Sequence, residues 1–203
     1  MKKIGLVAVA LALFVAIGCK NDKKNTDVVD EAMDGISNAA ESLTETITNE
    51  EEETKVIRVD MEPKSGSQVE GQVHFSETDG VVTMQARFGN MNPGTHAIHL
   101  HEKADCSSED GTSTGGHWNP THERHGKWGD AEGYHKGDIG NFEVGEDGTG
   151  EIIFETDEWC IGCDDETKNI IGKSVIVHES PDDFVSQPTG NAGGRISCGG
   201  IIK

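Results

Sequence analysis

The chain has 203 residues and a mass of 21.8 kDa, enough for one substantial domain with additional segments. Its 37 acidic residues against 17 Lys and Arg exclude nucleic acid or an anionic membrane surface as partners held by charge, and any anionic substrate must find a local positive feature. With 26 glycines, few aromatics and scattered β-branched runs, the composition points to an all-β domain with long loops.

Residues 1–19 read as an export signal. Lys2 and Lys3 precede an apolar run from Gly5 to Ile17 that is short for a membrane span. The run ends in Ala16-Ile17-Gly18-Cys19. A small residue directly before Cys resembles the bacterial lipobox, in which the Cys is lipidated and becomes the mature N-terminus. Ala16 stands where Leu is usual, and the alternative is an ordinary cleaved signal followed by a chance Cys. Either reading places the mature protein outside the cytoplasm.

Residues 20–54 form an acidic tether, with three Lys against eleven acids. Such a segment buries too little apolar surface to fold alone. Val29, Ala32, Met33, Ile36, Ala39, Ala40, Leu43 and Ile47 nevertheless recur at helical spacing, so a partly helical spacer is compatible with the pattern.

The folded domain is placed at 55–203. Val56 to Met61 reads as a first strand. Val69, Gly71, Val73 and Phe75, then Val82, Met84, Ala86 and Phe88, alternate with polar residues around an Asp79-Gly80 hairpin turn. After a turn at Asn92-Pro93-Gly94 comes His96-Ala97-Ile98-His99-Leu100-His101-Glu102. In a strand, His99 and His101 share one face while Ile98 and Leu100 share the other. An isolated H-x-H pair is usually a solvated strand face. Here His117, His125, His135 with Asp138, and His178 follow, in a chain with 9 histidines in all. That density, with a carboxylate three residues from a histidine, reads as a transition-metal site, and as two sites rather than one.

Glu102 to Gly137 has little periodicity, and a loop of that length is normally functional or disordered; metal ligands within it would order it. Strands resume at Ile139 to Val144 and Gly150 to Thr156, joined by an Asp147-Gly148 turn. Val175 and Val177 lead into His178, a second irregular loop runs from Glu179 to Gly194, and Ile196 to Ile202 can form the last strand. Cys160 and Cys163 form a C-x-x-C within Trp159 to Asp164. In an exported chain this favours a short-loop disulfide, with a redox-active pair or a soft metal contact as alternatives.

Several of these stretches together resemble the copper/zinc superoxide dismutases. They are Gly94-Thr95-His96-Ala97-Ile98-His99-Leu100-His101-Glu102, Gly116-His117-Trp118-Asn119-Pro120, His135-Lys136-Gly137-Asp138-Ile139-Gly140-Asn141, Val177-His178-Glu179 and Gly190 to Gly199. The resemblance runs from about Lys55 to the C-terminus. It implies an eight-stranded Greek-key barrel or sandwich, immunoglobulin-like in arrangement, with two long active-site loops. It implies superoxide as substrate and copper and zinc as cofactors. His99, His101, His117 and His178 would hold copper; His117, His125, His135 and Asp138 would hold zinc, with His117 shared. Four imidazoles suit a redox-cycling copper, and three imidazoles with a carboxylate suit a closed tetrahedral zinc site.

By the same resemblance, Asp182 links a copper histidine to a zinc histidine, Arg195 guides superoxide and Thr189 narrows the channel. Cys106 pairs with Cys198. A fixed guanidinium in a narrow cavity answers the charge problem of so acidic a chain. His96 matches a histidine with a structural hydrogen-bonding role, while His74 and His122 read as bystanders. Asp182-Asp183-Phe184 and Ser186-Gln187-Pro188 look like the bacterial branch, so the eukaryotic dimer interface is not carried over and a homodimer is left open. The signal then implies a periplasmic or outer-membrane lipoprotein, held to the membrane by Cys19. The competing class is an exported copper or zinc buffer on the same scaffold without turnover.

Overall fold

A computed structural model describes residues 54–203; the export signal, Cys19 and the acidic tether through Glu53 lie outside the described residues. Eight antiparallel strands close into a barrel: β1 Lys55–Pro63, β2 Glu70–Thr78, β3 Val81–Gly89, β4 Gly94–His101, β5 Gly140–Val144, β6 Gly150–Thr156, β7 Ser174–His178 and β8 Arg195–Gly200. Around the barrel the order is β1-β2-β3-β6-β5-β4-β7-β8. The chain runs as a meander through β1 to β3, then crosses so that β3 meets β6 and β4 meets β7, the Greek-key pattern.

The period-two alternation builds this barrel. Val73 and Phe75 of β2 face Val82, Met84, Ala86 and Phe88 of β3 inside, while Glu70, His74, Gln85 and Arg87 face out. The β2–β3 hairpin turns at Asp79-Gly80, both with positive φ (52° and 75°), the backbone twist a two-residue hairpin needs. Ile98 and Leu100 of β4 and Val175 and Val177 of β7 join the same core.

β4 departs from the half-solvated pattern of most barrel strands. Its outward face is buried as well, with His99 and His101 fully inaccessible. Two long connections cover that face. One runs between β4 and β5 and the other between β7 and β8. The first is anchored where Leu100, Trp118 and Gly137 exchange backbone hydrogen bonds of 2.8–2.9 Å. A side chain at Gly137 would collide with the Leu100 carbonyl, so glycine is required for that approach. The same loop, which shows no periodicity in sequence, holds one 3-10 turn at Thr112–Thr114. The final strand ends at Gly200, so Ile201 packs into the core from beyond the ladder and Ile202 is exposed.

Candidate metal centre

Two strands and one loop bring seven side chains to one place. His99 and His101 come from β4. On β7, Val175 and Val177 point inward, so Ile176 and His178 face outward beside His99, which pairs with Ile176. His117 enters from the first loop, held at the end of β4 by a bridge to His101. His125, His135 and Asp138 follow on the same loop, and all seven residues are buried.

The seven divide into two overlapping sets. His99, His101, His117 and His178 offer nitrogens within 4.8 Å of one another, as do the donor atoms of His117, His125, His135 and Asp138. His117 belongs to both. Its Nδ1 lies 2.8 Å from Asp138 Oδ1, while its Nε2 faces the first set. The Asp138 carboxylate also lies 3.0 Å from His125 Nδ1 and 3.2 Å from His135 Nδ1. Adjacent ligands on a tetrahedral ion with 2.0–2.1 Å bonds stand about 3.3 Å apart, close to this spacing.

The far nitrogen of each ring shows which atom is left to ligate. His99 Nε2 is 2.9 Å from Asp182 Oδ2, and His125 Nε2 is 2.9 Å from Asp182 Oδ1. His101 Nδ1 is 3.0 Å from the Gly115 carbonyl, and His178 Nδ1 is 3.4 Å from the Gly193 carbonyl. These contacts leave four buried ring nitrogens of the first set without a hydrogen-bond partner, His99 Nδ1, His101 Nε2, His117 Nε2 and His178 Nε2, while His125 Nδ1 and His135 Nδ1 have only the Asp138 carboxylate beside them. An unsatisfied buried polar atom costs roughly 1–3 kcal/mol, so these four would cost roughly 4–12 kcal/mol, comparable to the whole stability of a domain. Metal coordination removes that cost, and the donor set fits two ions.

Protonation follows the same division. Burial holds His101 well below the usual imidazole range, with His117, His178 and Arg195 adding to it. His178 is depressed by burial and by His99 and His117. Burial, with His99 next, lowers His117 to about 3. At neutral pH these rings are therefore neutral and ready to ligate. For His125, burial pulls down, but hydrogen bonds to Asp138 and Asp182 prevail and raise it to about 9. Burial would raise Asp138, yet His117, His125 and His135 hold it far below the carboxylate range; Asp182 is held low by His125 and His99 against burial in the same way.

Asp182 is buried between His99 and His125, while Asp183 is exposed and bonds Ser186. Gly190, at φ 66°, lies so close that a side chain there would strike the Asp182 carboxylate. Asn141 fixes the Asp182 backbone from both sides, accepting from its N–H at 2.7 Å and donating to its carbonyl at 2.9 Å. The role of Asn141 was not legible in sequence beyond its place in the His135–Asn141 stretch.

Arg195 is half-buried at the start of β8. Its Nη1 donates to the Gly111 carbonyl at 2.7 Å and to Thr114 Oγ1 at 2.8 Å, and Nη2 donates to the Gly115 carbonyl at 2.8 Å. Gly115 therefore orients both Arg195 and His101. Thr189 is half-buried beside Gly190. His96 lies between the carbonyls of His178 and Asn92, each at 2.9 Å, while His74 and His122 are exposed. Cys106 is bonded to Cys198, tying the first loop to β8, and Cys160 is bonded to Cys163.

A family model described as copper/zinc superoxide dismutase matches residues 69–201. Among solved structures, a double mutant of a SOD-like protein from Bacillus subtilis is 32% identical, with a TM-score of 0.65, over 72% of this chain and 97% of that one. The SOD-like protein itself is 31% identical, with a TM-score of 0.64, over 71% and 97%. The clock protein EA4 is 33% identical, with a TM-score of 0.62, over 72% and 94%.

Proposed function

This chain belongs to the copper/zinc superoxide dismutase family, and from that premise we propose that it converts superoxide to oxygen and hydrogen peroxide. The observation that carries the reading is the pair of buried donor sets that share His117, with four unpartnered ring nitrogens converging in one and three rings around the Asp138 carboxylate in the other. The family's metals are copper and zinc. His99, His101, His117 and His178 would hold copper; His117, His125, His135 and Asp138 would hold zinc. Copper supplies a one-electron couple that takes an electron from one superoxide and returns it to a second, so two superoxides and two protons give one oxygen and one hydrogen peroxide.

The chain's own residues do the rest. Arg195, fixed by three hydrogen bonds, presents a guanidinium to a small anion in a protein whose net charge of −20 would otherwise repel it. Superoxide is held beside the copper set by that charge. His117 Nε2 would take up a proton and pass it to the peroxide product, while Nδ1 stays directed at Asp138. Asp182 orients His99 and His125 together, so the two halves keep one geometry. Thr189, half-buried beside Gly190, would narrow the approach to Arg195, as the family resemblance implies.

The second reading, a metal buffer on the same scaffold without turnover, draws on the SOD-like description of two neighbours. The two disulfides are consistent with an exported protein. The export signal and the Gly18-Cys19 pair support anchoring to a bacterial membrane through lipidated Cys19, with the acidic tether as spacer. The decisive test loads the protein with copper and zinc and measures superoxide loss. Turnover well above that of the same amount of chelated copper supports the enzyme; loss no faster than chelated copper leaves the buffer.

A further inference from the structure

The two halves of the centre are supported differently. Three of the four copper-set residues stand in ladders, His99 and His101 paired with β7 and His178 paired with β8. The zinc set, apart from His117, stands on one irregular segment with no ladder of its own. Its members therefore depend on contacts from elsewhere in the chain. Gln187 supplies one: its Oε1 accepts from the His125 N–H and its Nε2 donates to the His125 carbonyl, both at 2.9 Å.

For His135 the contacts come from the short segment after β6. Its neighbours Tyr134 and Lys136 both reach Glu158: the Tyr134 hydroxyl donates to Oε1 at 2.6 Å, and Lys136 Nζ donates to Oε2. Next door, the indole N–H of Trp159 donates to the Lys136 carbonyl at 2.8 Å. Trp159 is itself buried among Phe75, Phe154 and Trp128, and Trp128 belongs to the same metal loop and stacks on Tyr134. The segment is pinned at both ends. Thr156 Oγ1 accepts from the Glu158 N–H at 2.9 Å. On the other side Cys160 is bonded to Cys163 and exchanges backbone hydrogen bonds with Lys168 and Ile170.

We propose that Glu158 and Trp159 are positioning residues for zinc, holding Tyr134 and Lys136 so that His135 Nδ1 stays aimed at Asp138. The inference rests on the reading of His117, His125, His135 and Asp138 as a zinc site. Glu158 gives the cleaner test, because its side chain is 29% exposed and its loss leaves the barrel core intact.

The experiment uses the full protein loaded with copper and zinc. Release of zinc to a chromogenic chelator at neutral pH is followed for the native protein, Glu158→Gln, Trp159→Phe and the control Glu155→Gln, an exposed β6 residue that bonds Thr83. Trp159→Phe removes the N–H together with part of a fully buried ring, so its zinc release is judged against the unfolding midpoint measured alongside. Copper release and the unfolding midpoint of the metal-free protein are measured alongside, and Co²⁺ placed in the zinc site reports its ligand field. We expect both variants to release zinc about tenfold faster, the scale for losing an outer partner of a ligand. Copper release and the Glu155→Gln control should stay within about twofold, and the Co²⁺ spectrum should change. Zinc release at the native rate in both variants overturns the inference while leaving the zinc site standing. Copper release accelerated as much as zinc also overturns it, because that is general loosening. A native protein that takes up no zinc overturns the zinc reading and this inference together.

Discussion

Replacing Asp182 with Asn tests the link between the two halves at the atom where they meet. The carboxylate accepts from His99 Nε2 and His125 Nε2, each at 2.9 Å, and from the Phe184 N–H at 2.7 Å. Asn has nearly the same shape but one acceptor oxygen, and its amide N–H₂ would face a ring N–H. The Phe184 N–H and His125 both use Oδ1, so whichever way the amide turns, one histidine loses its partner. A hydrogen bond to a charged group contributes roughly 1.5–3 kcal/mol. At 1.4 kcal/mol per decade this corresponds to a roughly 10–100-fold loss of metal affinity, the range seen when an outer partner of a ligand is removed. The amide oxygen is drawn to the Oδ1 position, where the Phe184 N–H and His125 both donate, so His99 loses its partner and the loss should fall on copper. Competitive chelator titrations of zinc and copper on the native and Asp182→Asn proteins read the two affinities separately. Zinc affinity falling as far as copper affinity would refute the reasoning, as would a copper affinity that does not move.

Three other outcomes follow from the same geometry. Arg195→Ala should lower superoxide turnover about tenfold or more, the lower end of what steering supplies, and should flatten its dependence on ionic strength; an unchanged salt profile removes the steering role. Cys106–Cys198 spans 92 positions and Cys160–Cys163 spans 3, so loop-closure entropy assigns them at most about 4.6 and about 2 kcal/mol. Urea unfolding of metal-free Cys→Ser pairs should rank them in that order, and the reverse ranking would contradict it. His125, raised to about 9, contributes stability to the metal-free protein that is fully present below the unfolded value near 6.5 and is lost as pH rises through 9. Zinc must displace that proton, so its apparent affinity should climb about tenfold per pH unit from 7 until it levels off near 9; a flat profile over pH 7–8.5 would show that His125 carries none.

Much of the fold can be read locally because a strand's period is two. Val82, Met84, Ala86 and Phe88 mark an inward face without reference to anything outside β3. Asp79-Gly80 marks a hairpin because two consecutive residues must take positive φ. The ligand types and their order along the chain are equally local, and they point to two metals before any coordinates exist. What this local reading misses is cover. The outward face of β4 has the pattern of a solvated strand, yet His99 and His101 are fully buried, because the β4–β5 and β7–β8 connections fold over it.

The sequence by itself determined the eight strands, the histidines and carboxylate available for binding, and the charge conflict that calls for an arginine. These depend on residue type and on spacing within a strand. Only the tertiary structure decided which nitrogen of each ring is free, that Gly115 serves both Arg195 and His101, that Asn141 holds Asp182, and that Glu158 grips both neighbours of His135. Each of those depends on a partner far along the chain, and a pairing set by how loops pack against a barrel leaves no periodic trace in the order of the residues.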